Sequence, residues 1–308
     1  VEAIVATALI GIDWGTTQLR GFRMNSAGGV LERRENASGI SAIQRGAFDA
    51  ALHGLIADWQ DAESPIPILM CGMIGSRQGW CEAPYIACPA RLSDFVGGWK
   101  QIDTSCGRAF AIGGLSCVDN AGLHDIMRGE ETQILGVAPM RGRHLAIAPG
   151  THSKWAAIND GGIEGFRTYM TGEFFGLLRK HSSLGWMMRE VGNDAFDETE
   201  FRSGVRRGLD DPELLHILFS VRTRGLFENM TVDASASFLS GILIGCEIAA
   251  GLRRASKGTV TVIAAPALGK LYGIALGMAG MADIVHVDSD EAVTRGLWRL
   301  WQLNGKAA

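Results

Sequence analysis

No two cysteines in this chain are spaced as CxxC, and none sits in a cluster with histidine. The six cysteines, at 71, 81, 88, 106, 117 and 246, therefore read as free thiols in a reducing compartment. A disulfide framework or a zinc site would need closer pairing. Excess positive charge is also lacking: the formal net charge is -4 and the pI is near 6.0. That balance gives no reason to expect nucleic acid or an acidic membrane as partner, whereas an anionic small molecule needs only a locally positive cleft. The opening VEAIVATALI has no basic region before its apolar residues, so no signal peptide is expected. The most apolar later run, FLSGILIGCEIAAGL (238–252), carries Glu247 and is short for a bilayer span, which predicts a buried helix. The expectation is a soluble cytoplasmic protein. Neither GxxxxGK[ST] nor a GxGxxG between strand and helix occurs, which removes the P-loop and dinucleotide-binding classes. GTHSK (150–154) has the wrong lysine spacing for a phosphate loop and leads into a strand pattern.

What is present is a repeated pattern. The chain has 308 residues, 47% of them apolar, enough for one large domain or two medium ones. Its 41 glycines exceed what a helical bundle needs. From residue 9 the order is strand, turn, strand, turn, strand: LIGID, WGTT, LRGFRMN, SAGG, VLERREN. A helix is predicted over 42–59 from the spacing of Phe48, Leu52, Leu55, Ile56 and Trp59, and a buried strand over 67–75. From residue 145 the same order returns as LAIAPG, THS, KWAAIND, GG, IEGFRTYM, followed by a helix at GEFFGLLRKH. Gly15 and Gly150 lie 135 residues apart, Gly28 and Gly161 133. That constancy predicts two similar domains of about 140 residues; two unrelated glycine-turn meanders are the plainer alternative.

Between the repeats, a strand is predicted over 110–118 and a helix over 123–137, interrupted by Gly129. Later come helical material from 193 to 228, a buried helix at 236–255, a strand at 260–265, a helix at 266–281, a strand at 283–288 and a last helix at 290–301. Alternation of strands with helices gives an α/β class, and the antiparallel meanders make each sheet mixed.

The first bend, IDWGTT, places an acid, a glycine and two hydroxyls at a strand end. Glycine lets backbone approach a ligand, and turn N–H groups with hydroxyls grip phosphate oxygens. Asp13 can hold a magnesium ion, or its water, beside a phosphate. Taken alone, the bend is equally a plain hairpin with Asp13 accepting turn N–H bonds; the second Gly-Thr bend favours the phosphate reading.

Two hairpin-bearing halves with DWGTT in the first resemble the sugar kinase, Hsp70 and actin superfamily. More narrowly, IDWGTTQLR (12–20), GMIGSRQGW (72–80), APYIACPA (83–90), MRGEETQILG (127–136), APGTHSKW (148–155), FRTYMTGE (166–173) and FLSGILIGCE (238–247) are similar to the 2-dehydro-3-deoxygalactonokinase family. The resemblance covers nearly the whole chain. It implies two ribonuclease H-like, actin-like ATPase domains with mixed five-stranded sheets flanked by helices and an active cleft between them. The domains are expected at 1–108, on the sugar-acid side, and 109–308, on the nucleotide side. The hinge falls near 105–110 or 138–144, and the last helix is free to cross back. The implied reaction is ATP- and Mg2+-dependent phosphorylation of 2-dehydro-3-deoxy-D-galactonate at its 6-hydroxyl in galactonate catabolism. The alternatives are a kinase for an epimeric sugar acid and a non-catalytic nucleotide-binding sensor. The partner is a small sugar acid, with no nucleic acid and no membrane; a homodimer is compatible.

The resemblance assigns Asp13, Gly15, Thr16 and Thr17 to the first phosphate motif, with Arg20 and Lys154 lining the centre, and Gly150, Thr151 and His152 to the second. Superfamily kinases use an aspartate in G-D-Q as base. Here that place reads G-E-E-T-Q, which makes Glu130, Glu131 and Asp13 the candidates, with Asp125 behind them. A sugar-acid carboxylate suits a bidentate arginine, and Arg77, Arg128 and Arg167 are the candidates, with Trp14 and Trp80 shaping the pocket. Asp13 and Glu173 are the metal-side carboxylates. Where the superfamily has glycines near adenine, this chain has Ala265, Pro266 and Ala267, a departure that still permits close approach; Lys270 is placed to reach the ribose.

Overall fold

The computed structural model describes residues 6–61, 63–188, 196–211, 213–228, 230–254 and 258–307. The start of the helical stretch expected from 193, and residue 255 at the end of another, lie outside them. The elements in chain order are β1 (Thr7–Trp14), β2 (Leu19–Asn25), β3 (Val30–Asn36), α1 (Phe48–Ile56), β4 (Ile68–Gly72), β5 (Tyr85–Ala87), α2 (Leu92–Val96), β6 (Lys100–Thr104), β7 (Gly107–Ala111), β8 (Gly114–Val118), β9 (His124–Met127) and α3 (Glu130–Val137). They continue with β10 (Arg143–Ala148), β11 (Ser153–Asn159), β12 (Gly162–Tyr169), α4 (Thr171–His181), α5 (Glu198–Asp210), α6 (Leu214–Ile217), α7 (Ser220–Phe227), α8 (Val232–Leu252), β13 (Val260–Ile263), α9 (Pro266–Met278), β14 (Ile284–Val287) and α10 (Ser289–Ala307).

The chain divides into two compact units. The first takes residues up to Gly142, Ile158–Phe166 and the chain from Ser289 on; the second takes Arg143–Ala157 and Arg167–Asp288. The boundary expected at 108/109 falls inside β7, a strand of the first unit's sheet.

In the first unit the sheet order is β3-β2-β1-β4-β7-β6. β1 to β3 form the antiparallel meander, and β4 then runs parallel to β1. The sheet has six strands, one more than expected, because β6 adds as an antiparallel edge to β7. The strand expected over 110–118 is two: β7 ends at Ala111, and β8 pairs instead with β5 and β9 in a separate three-stranded sheet. Alternate residues Ile10, Ile12 and Trp14 of β1 meet Phe48, Leu52 and Ile56 of α1 in one apolar cluster, as a period of two packing on a helical stripe requires.

The helix expected from 123 begins only at Glu130. Residues 124–127 are strand β9, and Gly129 turns the chain with φ of +108°. That value excludes side chains with a Cβ in practice, and a Cβ there would also stand 3.2 Å from the Gly72 Cα. α3 then packs on α10 through two glycines. A Cβ on Gly296 would sit 1.9 Å from the Thr132 carbonyl, and one on Gly136 2.1 Å from the Ala292 carbonyl. This contact fixes where α3 starts, and so where its first two glutamates stand.

In the second unit the sheet order is β12-β11-β10-β13-β14. The order matches the first five strands of the other sheet, with β13 parallel to β10 as β4 is to β1. Among the described residues, α8 is the one helix long and apolar enough to cross a membrane, and 78% of its apolar window is buried inside the fold. It packs against α5 at glycines on both sides, Gly204 and Gly208 meeting Gly241 and Gly245, which is a core role.

Candidate active site

In the first unit, β1 and β4 end side by side, with Asp13 opposite Cys71 and Trp14 opposite Gly72 in parallel register. Strand alternation puts Asp13 and Trp14 on opposite faces. Trp14 goes into the core: it is fully buried, its ring lies edge-on to Phe48 and Trp80, and its Nε1 donates to the Ser38 carbonyl at 2.8 Å. The expectation that Trp14 shapes the sugar pocket is corrected accordingly, since it has no free face. Asp13 is 5% exposed and pairs with Arg20, which also pairs with Asp290 at the start of α10. Arg20 thus bridges the two acids, Asp13 and Asp290. Burial pushes the Asp13 carboxyl above its usual range, and Arg20 pulls it back. Beyond Asp13 the bend opens: Thr16 and Thr17 are exposed.

α3 brings up the carboxylate pair. Glu131 is 1% exposed; its Oε2 accepts from the Gly129 N–H at 2.6 Å and its Oε1 from the Thr132 hydroxyl at 3.0 Å. Burial, with the neighbouring Glu130 charge, raises its pKa to about 7. The buried Cys71 thiol, held well above its normal pKa by burial and by the Asp13 and Glu131 charges, lies between the two acids. Glu130 is half-buried, and its Oε2 accepts from the Arg128 N–H at 3.2 Å.

Glu131 carries a pH signature. The folded protein holds its proton up to about pH 7, while the unfolded chain releases it near 4.5. Native Glu131 therefore binds more protons than unfolded Glu131 between those values, and stability falls as pH rises through the window. Glu131→Gln removes this contribution, on the order of 3 kcal/mol when fully expressed. Urea melts are expected to show E131Q and wild type alike at pH 4.5 and E131Q the more stable at pH 8. Parallel curves at both pH values would show that Glu131 does not titrate in the folded protein as described.

Arg128 joins β9 to this turn. It is 8% exposed, its Nη2 donates to the Ala83 carbonyl at 2.8 Å, and its guanidinium lies 4.3 Å over the Tyr85 ring. Its Nε and Nη1 are buried with no acceptor among the described residues, and Nη1 packs so close to Gly75 that a Cβ there would stand 2.9 Å away. Arg77 is the opposite case, 86% exposed and paired with Glu82 at 2.7 Å. It lines a cavity of about 400 Å3 with Arg45, Gly46, Phe48, Gly79 and Trp80. Trp80 stacks on Phe48 with centroids 6.2 Å apart. Arg45 beside Arg77 on that cavity, and Asp290 paired with Arg20, are residues that the sequence did not single out.

In the second unit, the bend after β10 carries Gly150, Thr151 and His152; the last two are exposed, and a Cβ built on Gly150 meets nothing within 4 Å. The start of α4 backs this bend, the Glu173 N–H donating to the Thr151 carbonyl at 2.9 Å. Glu173 pairs with His152, so both belong to the bend's own framework. Lys154 is buried and engaged within the protein; it is not on the exposed bend. Lys270, on the surface of α9, pairs with Glu198 at 3.4 Å and lies 5.4 Å from the Phe196 ring. Ala265, Pro266 and Ala267 are exposed at the start of α9, with proline in its first turn. Arg167 is half-buried near the end of β12. Among the described residues no group of three or more His, Cys, Asp or Glu is placed to hold a metal ion.

Two sheets that share an order of five strands, each opening with a meander whose first bend carries glycine and threonine, with an acid-bearing helix start beside the first of them, make an α/β fold of the actin-like class. Residues 13–300 match the family described as 2-keto-3-deoxy-galactonokinase. The chain is 38% identical over 291 residues to "Probable 2-dehydro-3-deoxygalactonokinase DgoK1" of Rhizobium meliloti (strain 1021), covering 93% of this chain and 94% of that protein. It is 35% identical over 290 residues to the 2-dehydro-3-deoxygalactonokinase of Escherichia coli (strain K12), covering 94% and 95%. The crystal structure of a Sinorhizobium meliloti protein provisionally assigned that activity superposes with a TM-score of 0.87 at 36% identity, over 96% of this chain and 98% of that one. The chain belongs to the 2-keto-3-deoxy-galactonokinase family.

Proposed function

We propose that this protein transfers the γ-phosphoryl group of ATP to the 6-hydroxyl of 2-dehydro-3-deoxy-D-galactonate. The observation that carries the reading is one turn of chain, 128–131, that joins a buried guanidinium with two unpartnered nitrogens to a half-buried carboxylate and a fully buried one. A buried cation with unpartnered donors calls for an anionic ligand, which favours a sugar acid over a neutral sugar. Arg128 then takes the substrate carboxylate, with Arg77 and Trp80 lining the sugar side of the first unit. Glu130 accepts the proton of the attacking hydroxyl, as transfer to an alcohol requires.

In the second unit the open bend at 150–151 offers N–H groups and a hydroxyl to phosphate, and in the first unit the bend at 15–17 carries the same kinds of donor. The residues fit a phosphate chain, because both bends are exposed and Gly150 leaves room for close approach. A magnesium ion would come with the phosphates, with Asp13 as the acid nearest the first bend, and would neutralise charge on the transferring group. The exposed Ala265–Ala267 start of α9 suits the adenosine on the second unit.

A coupled ADP-release assay tests the reading. Turnover is expected with the galacto acid. With galactose, which lacks the carboxylate, kcat/KM is expected to fall by about 10⁴-fold, as for a site whose polar groups are left unpaired. Preference for the gluco epimer would move the substrate assignment by one carbon, and equal turnover on the neutral sugar would overturn it.

A further inference from the structure

Glu247 stands in the middle of α8, the most apolar helix of the chain, and is 3% exposed. Nothing in the chemistry above uses it. Its Oε1 accepts from the Ser153 hydroxyl at 2.6 Å and from the Trp155 indole N–H at 2.7 Å. Its Oε2 accepts from the Tyr272 hydroxyl at 2.8 Å and from the Thr171 hydroxyl. Burial raises its pKa, while each of the four hydrogen bonds works to keep it ionised. Placing a carboxylate in a core is costly, and an apolar residue of like volume often packs there more stably. The interest lies in what the four donors have in common.

Ser153 opens β11 directly after the Gly150–His152 bend. Thr171 is the first residue of α4. Its neighbour Gly172 packs so tightly on that bend that a Cβ would stand 2.3 Å from the Gly150 carbonyl, and Glu173 holds the Thr151 carbonyl from the next position. Tyr272 lies in the second turn of α9, behind the exposed Ala265–Ala267 start. One carboxylate therefore ties together the strand leaving the bend, the helix that backs it, and α9, whose start is exposed. All three belong to the second unit.

We propose that Glu247 is the positioning residue for the nucleotide: it sets the Gly150–Thr151 bend and α9 in the one relative arrangement that receives ATP. This rests on the assignment of ATP to that bend. A buried charge with complete hydrogen bonding specifies geometry more than it adds stability, and loosening it should cost ligand affinity before it costs the fold.

Glu247→Gln keeps the volume but turns one acceptor oxygen into an amide donor. The indole N–H of Trp155 can only donate, so the amide faces the Thr171 and Tyr272 hydroxyls, which must reverse. ATP binding is measured by calorimetry without sugar acid, on wild type, E247Q and T171V, with thermal melts alongside. E247Q is expected to melt within a few degrees of wild type, to bind ATP at least about tenfold more weakly, and to keep its KM for the sugar acid within about twofold. T171V is expected to give part of the ATP defect, and the double variant no more than E247Q alone. Should E247Q fail to fold, T171V carries the test. Folded variants with wild-type ATP affinity, or equal losses for ATP and sugar acid, would overturn the proposal. Wild type that phosphorylates but does not bind ATP at this bend would instead overturn the nucleotide assignment beneath it.

Discussion

Glu130→Gln is expected to lower kcat by about 10²–10⁴-fold, the usual worth of a positioned general base, with ATP binding retained. Neighbouring residues on a helix point about 100° apart, and α3 divides its two acids accordingly. Glu131 turns inward, to the Gly129 N–H and the Thr132 hydroxyl, under the seal that Gly136 and Gly296 make between α3 and α10. A carboxylate committed to its own helix start cannot also reach a substrate hydroxyl. Glu130 sits at the first helical position and is half-buried, so it is the less enclosed of the two acids. The amide of E130Q preserves size and the contact to the Arg128 N–H but cannot take a proton. Single-turnover rates with both substrates saturating separate this from a binding defect. Unchanged turnover in E130Q, with loss in E131Q or D13N, would transfer the role to the buried acids.

The arrangement that makes this prediction possible was only partly legible in the sequence. Both meanders were, because glycine turns separate short runs of alternating apolar residues, and the repeat of that pattern foretold two sheets of like order. The segment 83–104 was not, since β5, α2 and β6 are only three to five residues long, too short for a period to register. The apolar spacing of Ile126, Met127, Ile134 and Leu135 suggested one helix, yet β9 and α3 meet at a positive φ that spacing does not encode. Side-chain direction was the larger gap. The IDWGTT motif marked Asp13, Trp14 and the threonines together, but pleating sends Trp14 to the core while the bend stays open. Pairings across long separations were invisible: Arg20 meets Asp290 270 residues away, and Ser153 meets Glu247 94 residues away. Glu247 looked like a blemish in an apolar helix because its four donors come from three other elements.

The substrate side gives the second large effect. Arg128→Lys is expected to raise the KM for the sugar acid by about 10²-fold, in the range that loss of one partner of a buried hydrogen-bonded charge pair costs, while ATP affinity stays within about twofold. Lysine keeps the charge but not the planar fork. The arginine now spends Nη2 on the Ala83 carbonyl and its face on Tyr85, which leaves Nε and Nη1, pointing to different sides of the guanidinium, as the donors still without an acceptor for a carboxylate oxygen. An ammonium on a flexible stem can satisfy Ala83 or the carboxylate, but not both in one geometry. Arg128 also holds its loop, so a structural role alone would lower activity too, and the choice of substrates separates the two. If Arg128 reads the carboxylate, R128K loses activity on the acid and leaves the residual activity on galactose unchanged, so that the ratio between them collapses. If Arg128 only braces Ala83 and Tyr85, both activities fall together, the melting temperature falls with them, and the preference for an acid must be sought at Arg45 and Arg77 around the neighbouring cavity.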